Sequence, residues 1–440
     1  MRSPRESRWR ELAEPVRMQR VALVAPSDSL REVLGLVAEA GVLELDAPTQ
    51  PGTTEDTSLD AVAGRTVVRG EVAALTGWVP VAELAPLAQR LRDSGGAAVP
   101  LAAPRGTDPP TLLREGGGLR RAFTPLVQTY GTVPYEDVDP SVAAGLAYIV
   151  MFGMMFGDVG HGALLAALGL LVRSERVPRL APIRRLWPFV TGAGLAAMAF
   201  GLLYGECFGP TGLVPVLWLA PLDHPVTLLV AGVAVGGVLL AAAQALATVN
   251  RWREGGWPRA VSAPSGVAGA ALLAGTGLVA GGVWRDLPWL TVLGGGVAVA
   301  GVVLAFAGFL ATSGGGGSGV TQAVVEVFDA VLRVGTNLIS FARLAAFGLT
   351  HAALGLVVWD GTSALAGSGP VLVAAAVVLF VLGNVLTFGL EALVAGIQAL
   401  RLEYYELFSR LFEGEGRPFR PWCLPAPTPS DQPSVQGRGP

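Results

Sequence analysis

The sequence predicts a mainly α-helical protein in which eight transmembrane helices, the last two long and tilted, form a polytopic membrane domain behind a small α+β cytoplasmic domain. Three observations carry this prediction. The 440 residues are 52% hydrophobic and only 15% charged, and their mean hydropathy is positive, yet roughly the first 140 have the mixed composition of a soluble chain. From Val142 onward the apolar runs are long enough to span a bilayer. Arginines then gather in alternate loops, which gives the runs a direction. The expected organisation is a cytoplasmic α+β domain over 1–121, a connector over 122–141, a membrane domain over 142–413 and a cytoplasmic C-terminal tail over 414–440.

Composition also excludes several function classes. A formal net charge of -3 without a basic tract argues against a nucleic-acid partner. All 31 basic residues are arginine, so a Walker-type phosphate loop, which needs a lysine after its glycines, is ruled out and no nucleotide site or cofactor is expected. Cys207 and Cys423 are far apart and neither belongs to a CxxC, which leaves a disulfide or zinc site without support; two inert thiols are expected, and no metal. The opening MRSPRESRWRELAEPVRMQR lacks the apolar core of a signal peptide.

In the soluble part, RVALVAPSDSLREVLGLVAEAGVLELDAP reads as a strand over Val21–Val24, a helix opening near Ser29 and a strand over Val42–Leu45. A turn-rich stretch, Pro48–Ser58, follows. TVVRGEVAALTGWVP is then strand material, and VAELAPLAQRLRDSGG is an amphipathic helix with Leu84, Leu87 and Leu91 on one face. A Pro, Arg and Gly-rich connector, Pro104–Arg121, leads to YGTVPYEDVDPS, where the composition changes.

The apolar runs cover about 142–172, 187–208, 226–249, 265–284, 288–312, 320–358 and 371–412. A helix needs about 20 apolar residues to cross ~30 Å of hydrocarbon, so the middle runs fit one crossing each, and the last two read as strongly tilted helices. The first run is broken at Gly157-Asp158-Val159-Gly160-His161-Gly162 and could be one bent helix or two short ones. The following loop holds Arg173, Arg176, Arg179, Arg184 and Arg185, and the 250–264 loop holds Arg251, Arg253 and Arg259; the opposite loops hold only Arg285. The positive-inside rule places the arginine-rich loops in the cytoplasm, together with the flank of Arg105, Arg114, Arg120 and Arg121. An even number of crossings must then separate that flank from Arg173, so the first run is two helices, the total is eight and both termini lie inside. The GGGGSG run at 314–319 reads as a flexible loop between helices.

Polar residues are concentrated in the last two runs: Glu326, Asp329, Arg333, Arg343, His351, Glu391, Arg401, Glu403 and Glu406. Glu326, Asp329 and Arg333 can share one helix face as an ordinary salt-bridged helix end. Arg343 and Arg401 differ, because a guanidinium cannot shed its charge and, deep in an apolar helix, must face a protein interior or a watery path; snorkelling to an interface is the competing account. His351 and Glu391 lie ~12 Å and ~15 Å of helix rise from the arginines and suit either a proton relay or a hydrogen-bonded structural pair.

These segments, taken in order, resemble the a subunit, or subunit I, of rotary V-type and A-type ATPases. RVALVAPSDSLREVLGLVAEAGVLELDA and GWVP resemble the two halves of the family's N-terminal domain. PPTLLREGGGLRRAFTPLVQTYGTVPYEDVDPS followed by MFGMMFGDVGHG resembles its entry into the membrane, and SFARLAAFGLTHAAL and LEALVAGIQALRLEYYELFSRLFEGEGRPFRPW resemble its last two helices. The resemblance implies that Arg343 is the essential arginine, Arg401 the second arginine, and His351 and Glu391 parts of the proton path. Glu403, Glu406, Ser340 and Gln398, polar residues close to the two arginines in sequence, are the candidate channel lining. It implies a stator subunit in the cell membrane beside a rotating proteolipid ring whose subunits each bury one carboxylate, with peripheral and central stalk subunits and membrane lipid as further partners.

The sequence departs from the family in places. Phe341 stands where Tyr is frequent, and Gln398, Glu403 and Tyr404 stand where His, His and Trp are common. The family's long coiled-coil arm is replaced by a short stretch, Pro48–Asp60, so contact with a peripheral stalk is expected to be reduced or supplied differently. Two other readings stay open: a secondary transporter that binds an anion at an intramembrane arginine, though no internal repeat is visible, and a non-pumping scaffold of the same fold. Proton or sodium as the coupling ion, and synthesis or hydrolysis as the direction, are not encoded here.

Overall fold

The computed structural model describes residues 14–46, 59–104, 107–114, 118–174, 177–263, 265–313, 316–366, 369–412 and 416–424. The expected turn-rich stretch Pro48–Ser58, most of the N-terminal opening, Arg105, Arg176, the start of the GGGGSG run and the tail beyond Leu424 lie outside them. Contacts divide the chain into two compact units, Pro15–Arg114 with the segment from Gly416 onward, and Glu115–Glu415 with Met1–Glu14.

In the first unit, β1 (Met18–Pro26) buries Val21, Leu23 and Ala25 in alternation, the period a strand with one covered face requires. It pairs antiparallel with β4 (Val72–Pro80) and β5 (Ala97–Leu101); β2 (Glu44–Leu45) and β3 (Val67–Arg69) both pair with β4. Helix α1 (Leu30–Ala40) and helix α3 (Val81–Arg92) supply Val33, Leu34, Val37, Leu87 and Leu91 to the same core, while α2 (Leu59–Ala63) adds Val62. Leu84 packs against the core without being fully buried, so the expected Leu84, Leu87 and Leu91 stripe is present. Gly77 is required in β4 because a Cβ there would lie 2.5 Å from the Glu44 carbonyl oxygen of β2.

The chain after the membrane segments also contributes to this unit. The Thr111 N–H donates to the Arg417 carbonyl and the Phe419 N–H to the Thr111 carbonyl, while the Trp422 N–H donates to the Leu43 carbonyl. Glu44 accepts from the Arg420 N–H at 2.6 Å and pairs with Arg417 at 2.8 Å; Trp422 is buried. Burial pushes the Glu44 carboxyl above its ordinary value, against the lowering effect of the Arg420 N–H and the Arg417 guanidinium.

The second unit is helical. Among the described residues, six helical stretches are long and apolar enough to cross a membrane, with Gly316–Ala366 counted as one, and two shorter apolar helices accompany them. The unit opens with α4 (Gly118–Tyr130), followed by α5 (Ser141–Met155) and α6 (Val159–Arg173). The first apolar run is thus broken at Phe156–Asp158, where the Asp158 side chain caps α6 by accepting from the His161 N–H at 2.8 Å. Then come α7 (Trp187–Tyr204), α8 (Pro225–Ser262), α9 (Val267–Trp284) and α10 (Pro288–Thr312). Helix α8 outlasts the apolar run because arginine-bearing turns continue it past a kink at Gly255 and Gly256. Helices α6 and α7 pack backbone to backbone: a Cβ on Gly194 would lie 2.4 Å from the Ala166 nitrogen.

The last two runs depart from the expected pair of long helices. The run over 320–358 is two helices of 25 residues, α11 (Gly316–Ser340) and α12 (Ala342–Ala366), parted at Phe341. There the Leu344 N–H donates to the Phe341 carbonyl and the Phe341 N–H to the Leu338 carbonyl, a tighter winding than the α-helix. The fully buried Phe341 ring fills the space left by Gly236 of α8, so tertiary packing accounts for the break. Gly316–Gly319, expected in a loop, form the first turn of α11. The final run is α13 (Pro370–Leu402), a π-helical turn over Glu403–Phe408, and a last short turn over Ser409–Leu411.

Candidate functional site within the membrane unit

Arg343 occupies the second position of α12, immediately after the break, and not the middle of one continuous helix. Its side chain is 26% exposed, its Nη1 makes no hydrogen bond, and its Nη2 lies 3.8 Å from Glu406. Arg401, near the end of α13, is exposed and within electrostatic reach of Arg343. The π-helical turn that follows sends Glu403 and Glu406 inward, 1% and 7% exposed. One oxygen of Glu403 and the Gln398 side-chain oxygen Oε1 are buried without a hydrogen-bond partner. Ser340 is turned to its own helix, donating to the Thr336 carbonyl at 2.9 Å.

Eight residues beyond Arg343, about 12 Å of rise, the buried His351 of α12 meets Glu391 of α13 through Nδ1. The sequence-derived set therefore forms two clusters: a guanidinium pair with Glu406, and an imidazole–carboxylate pair about two turns further along α12.

The second cluster is larger than the sequence suggested. Polar groups from the short helices converge on it: Asp158 and His161 are 0% and 1% exposed, and the His161 and His351 rings lie 5.6 Å apart. Phe156 packs 5.2 Å from the His351 ring and 5.8 Å from His161. Glu206, just past α7, is buried and within electrostatic reach of His351, Asp158 and Glu391. The concentration of polar residues in the last two runs was thus only part of the arrangement. MFGDVGHG, an acid and a histidine inside an apolar run, was the available signal for Asp158 and His161.

The connector before α5 is tied down by a third polar group. Asn250 of α8 accepts from the Val138 N–H, and Asp137, fully buried, faces Arg251 and Glu254. Arg251 pairs with Glu254 at 2.8 Å and stands 3.9 Å from Asp137. Burial foremost, then the neighbouring Glu254 carboxylate, push the Asp137 carboxyl up to about 7, while Arg251 and Arg253 oppose the shift. Because the folded-state value is the higher one, the folded chain holds the extra proton, and this carboxyl's contribution to stability is lost as pH rises from about 4 to about 7. Asp137→Asn is expected to flatten the dependence of thermal unfolding on pH in that window; an unchanged profile would assign the dependence elsewhere.

Comparison with known proteins gives a consistent result. The model of the V-type ATPase 116kDa subunit family matches residues 64–212 and 319–424, more than half of the chain. The chain is similar to the A-type ATP synthase subunit I of Archaeoglobus fulgidus, 29% identical across 81% of this chain and 59% of that protein. It is also similar to the V-type ATP synthase subunit I 2 of Treponema pallidum, 34% identical across 36% of each chain. The human V-type proton ATPase 116 kDa subunit a 3 is 34% identical across 32% of this chain and 19% of its own length. The chain spans about three-fifths or less of the length of these relatives. With matched segments that take in α5 to α7 and most of α11 to α13 and carry Asp158, Arg343, His351, Glu391 and Arg401, the chain belongs to the V-type ATPase 116kDa subunit family.

Proposed function

We propose that this chain is the membrane stator of a rotary ATPase, forming two ion half-channels against a ring of proteolipids, each with one buried carboxylate. The single observation that carries this reading is Arg343: a permanent charge on an apolar helix, a quarter exposed, beside a second arginine and one helical stretch away from a His–Glu pair. A ring carboxylate arriving from lipid holds its proton because burial disfavours its charge. Opposite the Arg343 guanidinium the ionised form is favoured and the proton leaves through one half-channel, and past the arginine it is replaced from the other. Arginine keeps its own proton, so it cannot serve as a leak. His351 and Glu391 are the proton-carrying pair of one half-channel, with Glu403, Glu406, Gln398 and Ser340 along the path. The name of the human relative, a V-type proton ATPase subunit, favours protons as the transported ion.

The same reading gives eight crossings, the two 15-residue helices α5 and α6 included, with both termini and the α+β unit on the cytoplasmic side of the cell membrane. Helices of that length rise only ~22 Å, so they cross where the surrounding helices and the polar break at Asp158 shorten the apolar path. Peripheral and central stalk subunits and lipid are the other partners.

Ala346 lies one turn from Arg343 on α12 and is exposed. With Cys207 and Cys423 replaced by serine, Ala346→Cys is expected to cross-link in native membranes to a cysteine placed one turn from the proteolipid carboxylate. The absence of that cross-link, with assembly intact, would remove the ring from this surface.

A further inference from the structure

We propose that Asp158, His161 and His351 form a binding site for a divalent transition-metal ion of the zinc or cobalt class. One ligand atom from each residue lies within 4.8 Å of the others, and all three residues are buried. The Asp158 Oδ1 to His161 Nδ1 separation is 3.6 Å, close to the ~3.4 Å edge expected between ligands ~2.1 Å from a tetrahedral ion. Two imidazoles and one carboxylate suit zinc, cobalt or nickel; magnesium and calcium call for oxygen ligands.

His161 makes the site more than a cluster of charges. It is 1% exposed, and neither ring nitrogen has a hydrogen-bond partner. The Asn384 amide is close enough to act on it but makes no hydrogen bond of normal geometry. A buried imidazole with both nitrogens unsatisfied is costly unless something else fills the position.

The other two ligands are already oriented. The Asp158 oxygens accept from the His161 N–H at 2.8 Å and the Gly209 N–H at 2.9 Å, which holds the carboxylate rigid. His351 turns Nδ1 to Glu391, which leaves Nε2 as the nitrogen available to an ion, and a carboxylate behind a ligating histidine raises its basicity and sets its tautomer. Asp158 and Glu391 supply negative charge to offset a dication away from water.

Metal binding does not depend on the rotary reading; one consequence of it does. An ion ligated by His351 would hold the His351–Glu391 pair fixed and stop proton transfer through it.

The test uses the full chain in detergent, in a Cys207→Ser background so that no nearby thiolate contributes. One equivalent of Co2+ is expected to give the visible absorption of a tetrahedral nitrogen–oxygen site, displaced by Zn2+. His161→Ala should weaken binding by more than ~100-fold, since losing even a supporting residue costs about 10- to 100-fold. Should that variant not elute as a monodisperse species, His161→Gln, which fills the same space, serves in its place. No Co2+ band in the parent chain, or affinity unchanged in the His161 variant, overturns the site. In vesicles bearing the whole complex, Zn2+ is expected to arrest ATP-driven acidification at the concentration that fills the site; binding without arrest counts against the proton path and leaves the metal site standing.

Discussion

Replacing Arg343 by alanine is expected to abolish ATP-driven acidification in vesicles carrying the assembled complex. A guanidinium at close range lowers a carboxyl's pKa by about 1 to 3 units, so removing it reduces the ionised fraction of the ring carboxylate opposite by tenfold to a thousandfold. The ring acid then keeps its proton as it passes the stator, and rotation carries no net charge. Glu406 does not substitute, since it sits 3.8 Å from the guanidinium and adds negative charge. Arg343→Lys is expected to behave differently. The charge is retained, but a partly desolvated ammonium can lose its proton, so partial pumping with an increased passive leak is the predicted outcome. Quenching of a pH-sensitive dye reports both, and full acidification by Arg343→Ala in an intact complex would withdraw the role assigned to this residue.

Glu391→Ala is expected to lower stability as well as transport. His351 is 3% exposed, and its Nδ1 contact with Glu391 is its bond to a carboxylate. Removing one member of a buried ion pair while its partner stays in place costs on the order of 3 kcal/mol, because the remaining group is left unpaired. His351→Ala with Glu391→Ala should recover part of that loss, so a double-mutant cycle on thermal unfolding in detergent is expected to show coupling of roughly 1 kcal/mol or more. Additive losses would mean that the two side chains do not stabilise each other. Acidification should fail in both single variants, which separates the transport role from the recoverable stability effect.

Much of the fold was legible in the residue pattern. Val21, Leu23 and Ala25 alternate as strand residues do, Leu87 and Leu91 repeat at helical spacing, and the Gly157–Gly162 break appeared at Phe156–Asp158. Other elements were hidden for identifiable reasons. Pro100 interrupts the pattern of β5, and Pro125 that of α4, although both elements form. The break at Phe341 carries no helix-breaking residue; it follows from the fit of an aromatic ring against Gly236 on another helix.

The sites divide in the same way. Arg343, His351, Glu391 and Arg401 stood out because charge in an apolar run is costly wherever the run ends up, and that cost is additive along the chain. The sequence by itself therefore determined which segments are apolar enough for a membrane, where the N-terminal strands and helices alternate, and which charged groups need a reason to be there. Only the tertiary structure decided which of those groups meet. Asp158 and His161 join His351 because α5 packs on α12 and brings the opening turn of α6 against it, and Trp422 returns to the N-terminal unit. Encounters of that kind depend on how packed surfaces fit in three dimensions, which no local pattern of residues records.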